Sequence, residues 1–396
     1  MKYKAFGRRA LLSALLIMAL LLGLVGCGSS GDSSGDLLSE DPAVRSAVSD
    51  ELTYQKSLEL TYAERFAVDY YEEGGCLVTV SDGRRYLVTD HAPADLPKDV
   101  SVLSAPVENV YLAGTASMDM FDACDAMDSV GFSSQKADSW KIESAAAAME
   151  AGDMLYAGKY SAPDYELLTS HHCNLAVENT MIYHSPTVIE KLEDLGIPVF
   201  IDGASSEATP QARMEWVKLY GILTGHEKQA NAAFREQEKE FLALEKADKT
   251  DRTNEPTVAF FSIRSNETVT VRRATDYIPY MIDLAGGQYV FSELGLDDPD
   301  SNRSTQTISM EEFYTAARDA DYFVFNSTIE GERTSIAQLL KDAPVLSDCK
   351  AVKEGKVYCT TADLYQHSMS QGTFVRDLYD MLHGNDGDMT YLFKLS

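Results

Sequence analysis

Beyond residue 65 the chain alternates short apolar runs with amphipathic stretches, and this alternation marks out its elements. Phe66–Tyr71, Cys76–Val80 and residues 86–89 read as strands, the last two joined by Ser81-Asp82-Gly83, a hairpin signal. Short apolar runs at 110–113, 154–157, 175–177 and 197–201 read as buried strands. Helical patterns fill the intervals, at 117–127 and from Ser185-Pro186 through Leu195, where Gly196 stops the helix. Strand, helix and strand with short links form a βαβ unit, which predicts a parallel sheet.

A helix over 209–223 carries Trp216, Leu219, Tyr220 and Leu223 on one stripe. It is followed by one long charged helix over 226–249, with Ala230, Ala233, Phe234, Phe241 and Leu244 as its apolar face. At 1.5 Å per residue the long helix would span about 35 Å. A break at 251–256 ends it, and a second half begins with strands Thr257–Ile263 and 269–273 and a helix over 276–285 closed by Gly286-Gly287. Ser309-Met310-Glu311-Glu312 is a capping box that opens a helix to Arg318; strands Tyr322–Phe325 and 356–360 and a helix Gln371–Leu382 follow. The expected fold is α/β: two α/β lobes with central, mainly parallel sheets, joined by one long α-helix.

The amino terminus stands apart from this pattern. Lys2, Lys4, Arg8 and Arg9 precede an apolar run over 10–25, long enough for a signal segment and short of the roughly 20 residues that span a bilayer. The run ends in Leu24-Val25-Gly26-Cys27, which resembles the bacterial lipobox, with Cys27 as the lipid attachment site. Residues 28–36 are Gly, Ser and Asp alone and cannot bury an apolar face. The expected boundaries are a signal peptide over 1–26, a lipid-anchored flexible tether over 27–50, a first lobe over 51–225, a connecting helix over 226–250 and a second lobe over 251–396. The chain would be extracytoplasmic and anchored to the cell membrane.

Composition narrows the function. The full chain carries a formal charge of −28, and removing the basic leader makes the remainder near −32. A surface this acidic argues against nucleic acid and against anionic lipid as partners. Cysteines 76, 124, 173, 349 and 359 show no CxxC spacing and demand no disulfide; Cys349 and Cys359 are the first pair to consider. Enzyme motifs are missing. His226-Glu227 opens like HExxH but residue 230 is Ala, and Gly158-Lys159 lacks the flanks of a phosphate loop. No enzyme activity and no resident cofactor are expected.

The stretch 161–180 draws the eye with His171-His172-Cys173. Ser161 fits an N-cap, Asp164 would complete a capping box and Pro163 sits in a first turn, giving a helix to about His171. Consecutive residues on a helix are about 100° apart, so the three cannot readily close on one ion. They read as a helix end, where His is favoured.

Taken in order and spacing, several segments resemble the extracytoplasmic solute-binding proteins of ABC importers that carry iron-siderophore complexes, haem or cobalamin. They are the lipobox, Pro163-Asp164-Tyr165-Glu166 before a strand, Leu192 through Val199, Gly221 through Ala230 leading into the long helix, Ser309-Met310-Glu311, and Ala351 through Tyr358. The resemblance covers roughly 60–390. It implies a ligand between the lobes, a monomer, an ABC permease and its ATPase as partners, and one acidic residue on each lobe docking on permease arginines. By position these are Glu166 and Glu311, with Glu312 as the alternative in the second lobe.

Ligands of open α/β sheets lie beyond the carboxyl ends of the strands. In the first lobe those loops offer Met118, Tyr160, Tyr183 and His184; in the second they offer Arg272, Arg273, Tyr365 and His367. Strand register lets only one of Arg272 and Arg273 face a cleft. Paired arginines suit carboxylate or phosphate groups, and tyrosines suit a macrocycle or ferric iron. The expected ligand is therefore a ferric chelate. Haem, cobalamin, a free metal ion and a surface sensor or adhesion role are the alternatives.

Overall fold

The computed structural model describes residues 37–246, 255–298 and 303–396. The signal segment, Cys27 and the Gly/Ser run lie outside the described residues, as does the expected end of the connecting helix beyond Lys246.

A parallel sheet forms the centre of the first lobe, in the order Val199–Asp202, Leu175–Asn179, Val110–Leu112, Val130–Ser133, Leu155–Tyr156. Its strands read as apolar runs because both faces are covered. Val110, Leu112, Leu175, Val177 and Phe200 enter the large core, while Tyr111, Ala176, Val199 and Ile201 enter a smaller core under Leu168, Val188 and Leu192. The helix after the 110–112 strand runs Thr115–Ala123, two residues earlier at its start than its apolar pattern suggested.

The predicted hairpin belongs to a second sheet of five strands: Tyr54–Ser57, Phe66–Tyr71, Cys76–Val80, Arg85–Val88 and Val100–Leu103, antiparallel except for the last pair. Its two outer strands escaped prediction, because Tyr-Gln-Lys-Ser and Val-Ser-Val-Leu are too short and too polar to read. The sheet is pinned to the first lobe by Tyr86, whose hydroxyl donates to the Val199 carbonyl at 2.6 Å, and by Phe66 edge-on to Trp216 at 4.8 Å. Two buried carboxylates hold the segment leading into it. Glu215 accepts from the backbone N–H groups of Thr61, Tyr62 and Ala63, and Glu207 from those of Glu64 and Arg65.

Residues 37–50, expected to be tether, are instead folded onto this sheet. The buried Arg45 grips the buried Asp69 through two bonds, at 2.7 and 2.8 Å, and Val48 packs with Tyr71, Leu77, Leu87 and Val100. One arginine reaching one buried aspartate anchors a segment whose average composition is polar.

The second-lobe sheet runs Thr305–Ile308, Val269–Arg272, Thr257–Ile263, Tyr322–Phe325, Val357–Thr360, Leu392–Lys394, with Gln288–Tyr289 pairing beside the start of Thr257–Ile263. The 257–263, 288–289, 322–325 and 357–360 strands are parallel; the other three pair antiparallel at the edges. Between the lobes stands the helix Glu227–Glu245, 19 residues or about 28 Å long. Ala230, Phe234, Phe241 and Leu244 are its buried stripe. It packs on Val217–Thr224 of the first lobe and on Gln371–Leu382 of the second. Gly372 permits that second crossing, since a Cβ there would lie 2.3 Å from the Gln237 carbonyl oxygen. Arg376 and Glu240 pair at 2.9 Å across it. All five described cysteines, Cys349 and Cys359 included, are buried free thiols.

Candidate functional site

Among the described residues, side chains of the two lobes meet at two main places. At the first, Arg213 of Pro210–Glu215 lays its guanidinium on the Tyr277 ring, 4.1 Å from the centroid. Arg272, at the end of the Val269–Arg272 strand, stands 6.0 Å from the same ring and 5.8 Å from that of Phe260. Gln211 completes the contact by donating to the Tyr280 hydroxyl at 3.3 Å. One arginine from each lobe thus flanks one tyrosine. Burial lowers the proton affinity of Arg213; Tyr277 and Asp276 oppose that effect and the Arg272 charge adds to it. Asp276 is the counter-ion at hand, 3.6 Å from Arg272. Its Oδ1 caps the next helix through Ile278 N–H, while its buried Oδ2 makes no hydrogen bond. Two guanidinium groups share this contact with Asp276, and Glu207 adds a second negative charge near Arg213; such a pair can hold a carboxylate or phosphate group.

At the second meeting place, the loop after Val357–Thr360 crosses to the first lobe. Gln366 donates to the Ser139 carbonyl at 2.9 Å and accepts from Lys141 N–H at 2.8 Å. Ser368 donates to the Ala116 carbonyl at 2.6 Å, and Met369 N–H donates to Asp119 at 2.6 Å. A cavity of about 530 Å³ lies beside this strap, lined by Asp122, Lys141, Ile142, Glu143, Ser144, Asp363 and His367.

Several residues expected in the cleft take other positions. Met118 is wholly buried: starting the helix at Thr115 turns it into the core with Phe121. Arg273 is also buried, its Nη2 donating to the Gly295 and Asp298 carbonyls at 2.7 and 2.9 Å, so Arg272 is the member of the pair at the contact between the lobes. Tyr160 is half-buried against the small core. Tyr183 is exposed and its hydroxyl donates to Asp82 at the hairpin tip, 3.1 Å away; His184 beside it is exposed. Tyr365 is exposed on the strap, and His367 faces Asp119 and Asp363.

Reading the sequence missed Arg213 and Tyr277, because what unites them is a contact between lobes and no local pattern announces it. It also missed Met181 and Ile329. These apolar side chains, 50% and 71% exposed, sit on the loops after Leu175–Asn179 and Tyr322–Phe325. Listing every residue of those loops would have found them.

The histidines and cysteine of the 161–180 stretch close a short helix. Its N-cap is Asp164, which accepts from Leu167 N–H, and the helix runs only Tyr165–Ser170. Ser161 does not cap it, because Ala162–Pro163 pair instead with Gly158–Lys159 as a two-stranded ribbon. His171 turns back to the Leu167 carbonyl, His172 takes a left-handed φ of 57°, and the Cys173 thiol is buried. Among the described residues no three His, Cys, Asp or Glu side chains are grouped to hold a metal ion. In the strand that follows, Glu178 is wholly buried with both carboxylate oxygens unpartnered, and burial pushes its pKa up to about 8.

Of the acidic pair on the outer surface, Glu166 is exposed in the first turn of its helix. Glu312 is engaged in the capping box: it accepts from Ser309 N–H at 2.8 Å while its own N–H donates to Ser309 Oγ at 3.1 Å. The bonds from Ser309 N–H and from Ser309 Oγ, 2.9 Å away, to this carboxylate hold it below the usual range, and Glu311 is left exposed. Glu312→Ala is therefore expected to lower the midpoint of thermal unfolding, and Glu311→Ala to leave it unchanged. Paired melts followed by circular dichroism check this.

Comparison with known proteins agrees with this architecture. The family described as periplasmic binding protein matches residues 138–364, which run from the first lobe through the connecting helix into the second. An uncharacterised lipoprotein of Methanocaldococcus jannaschii is 25% identical, over 98% of this chain and all of its own length. A solute-binding protein of Staphylococcus epidermidis, described as possibly iron-binding, superposes with a TM-score of 0.52 at 16% identity, covering 69% of this chain and 98% of its own. A periplasmic haem-binding protein of Pseudomonas aeruginosa gives 0.55 at 16% identity, over 73% and 98%. The chain belongs to the periplasmic binding protein family, the non-enzymatic solute-binding components of ABC importers, in the form whose two α/β lobes share one long helix.

Proposed function

We propose that the chain captures an anionic ferric chelate of the siderophore type between its lobes and delivers it to an ABC permease. The observation that supports this reading is the pair Arg213 and Arg272, one from each lobe, flanking Tyr277, with Asp276 beside Arg272 and Glu207 as a second acid near Arg213. Closing the lobes on an anion would relieve the repulsion between the two guanidinium groups. Exposed Met181, Ile329 and Tyr365 supply apolar and aromatic surface for the body of a chelate.

Glu166 and Glu311 are the docking carboxylates of this proposal, presenting the loaded lobes to basic pockets on the permease. Cys27 would carry the lipid that keeps the protein at the membrane.

Ferric chelates, haem and cobalamins all absorb visible light, so one experiment separates them. The chain without residues 1–26 is incubated with each and passed through a desalting column. The expected result is a ferric chelate eluting with the protein at one per chain. Retention of haem or a cobalamin alone would replace the proposed ligand, and elution of colourless protein from every mixture would overturn the proposal.

A further inference from the structure

The strap over residues 361–370 does more than touch the first lobe. Gln366 uses both ends of its amide on the 139–141 backbone and is buried, and Met369 is buried beside it. Between these two anchors sits His367. Its Nδ1 is 3.5 Å from Oδ1 of Asp119 in the first lobe, and its Nε2 is 3.4 Å from Oδ2 of Asp363 in the second. A neutral imidazole has one N–H and one lone pair. In this position it would turn the lone pair on one of the two carboxylates, whereas the imidazolium presents N–H to both.

We propose that the 361–370 strap is a proton-sensitive latch between the lobes, with the His367 imidazolium bridging Asp119 and Asp363 as its catch. The groups around the ring favour the charged form. Asp119 faces it from the 115–123 helix and Asp363 from the strap. The Tyr391 ring lies 5.6 Å away from the C-terminal side, and Asp122, Glu143 and Lys141 line the cavity beside it. Carboxylates outnumber the one lysine. The hydrogen bond to Asp119 raises the His367 pKa above its ordinary 6.5, burial opposes the rise, and the charges of Asp119 and Asp363 add to it.

The sign follows from linkage. A group whose proton is held more tightly in the fastened state stabilises that state fully at low pH. Below 6.5 the ring is charged with the strap fastened or free, and the latch is at full strength. As pH rises through the raised value the catch is lost, leaving Asp119 nearly buried beside a neutral ring. The Gln366 contacts do not titrate and persist. The lobes are thus tied most firmly in mildly acid surroundings and released toward alkaline pH, whatever ligand lies between them.

Amide hydrogen exchange on the whole chain, corrected for the intrinsic pH dependence of exchange, tests this without a ligand. Between pH 6 and pH 9, protection of the Met369 and Lys141 amides should fall several-fold as the ring loses its proton. Amides of Val357–Thr360 should keep theirs. In His367→Gln the fall should vanish. Unchanged protection of Met369 and Lys141 in the native chain, or the same fall in His367→Gln, would overturn the latch. Should that variant not fold, the His367 ring titration by NMR decides. A midpoint above 6.5 that drops in Asp119→Asn supports the latch, and a midpoint at 6.5 or below in the native chain rejects it.

Discussion

Glu178→Gln is expected to remove a loss of stability that the native chain suffers as pH rises from 5 to 9. The Glu178 carboxyl is wholly buried, both oxygens lack partners, and its pKa lies at about 8 against an ordinary 4.5. The folded state therefore holds this proton more tightly than the unfolded chain. Its contribution is intact below 4.5, declines as pH rises through the interval, and reaches its full deficit above 8. At 1.36 kcal/mol per unit the deficit is about 5 kcal/mol, comparable to the whole stability of many domains. Buried Asp202, Glu207 and Asp377 are raised in the same direction and will slope the native curve too. The difference between native and variant isolates Glu178. Urea unfolding at several pH values checks it: the two curves should converge near pH 5 and diverge steadily above, with the variant more stable. Parallel curves would mean that Glu178 has a partner or is reached by water.

The second large effect concerns binding. Arg213→Gln should weaken retention of an anionic chelate by about 10- to 150-fold, the range for losing a charge-assisted contact of about 1.5–3 kcal/mol. Thermal stability should change little, because the guanidinium rests on Tyr277 and on one backbone carbonyl, that of Glu207, and neutralises no buried acid directly. Arg272→Gln is predicted to weaken binding as well, but also to destabilise the second lobe, since it strips buried Asp276 of its counter-ion. Arg213→Lys keeps the charge and loses the flat stacking surface, so an intermediate affinity is expected. Equilibrium titrations of the three variants alongside melts separate the two kinds of loss.

The elements written in local pattern were legible. Thr257–Ile263, Tyr322–Phe325 and Gln371–Leu382 fall where periodicity placed them, as does the Ser309 capping box. The 226–249 helix was readable from its stripe and the absence of Gly or Pro, and its described part runs Glu227–Glu245. What failed was whatever depends on distant partners. Ser161 carries a good local cap signal, yet ribbon pairing of Ala162–Pro163 moves the helix start to Asp164. Residues 37–50 look like linker until Asp69 supplies a buried partner for Arg45. Arg272 and Arg273 are equivalent in sequence, and only the carbonyls of Gly295 and Asp298 decide that Arg273 turns inward. Arg213 was invisible in the sequence because it meets Tyr277 across 64 residues of chain.

The proposed binding requires a negatively charged ligand held by one arginine from each lobe. A titration of the chain lacking residues 1–26 against ferric chelates of similar size but anionic, neutral and cationic charge, followed by quenching of its Trp and Tyr fluorescence, addresses that claim most directly. The predicted result is saturable binding at one per chain, tightest for the anionic chelate, weakened by salt and weakened again in Arg213→Gln. Binding that favours the neutral or cationic chelate, or no saturable quenching by any of the three, would contradict it.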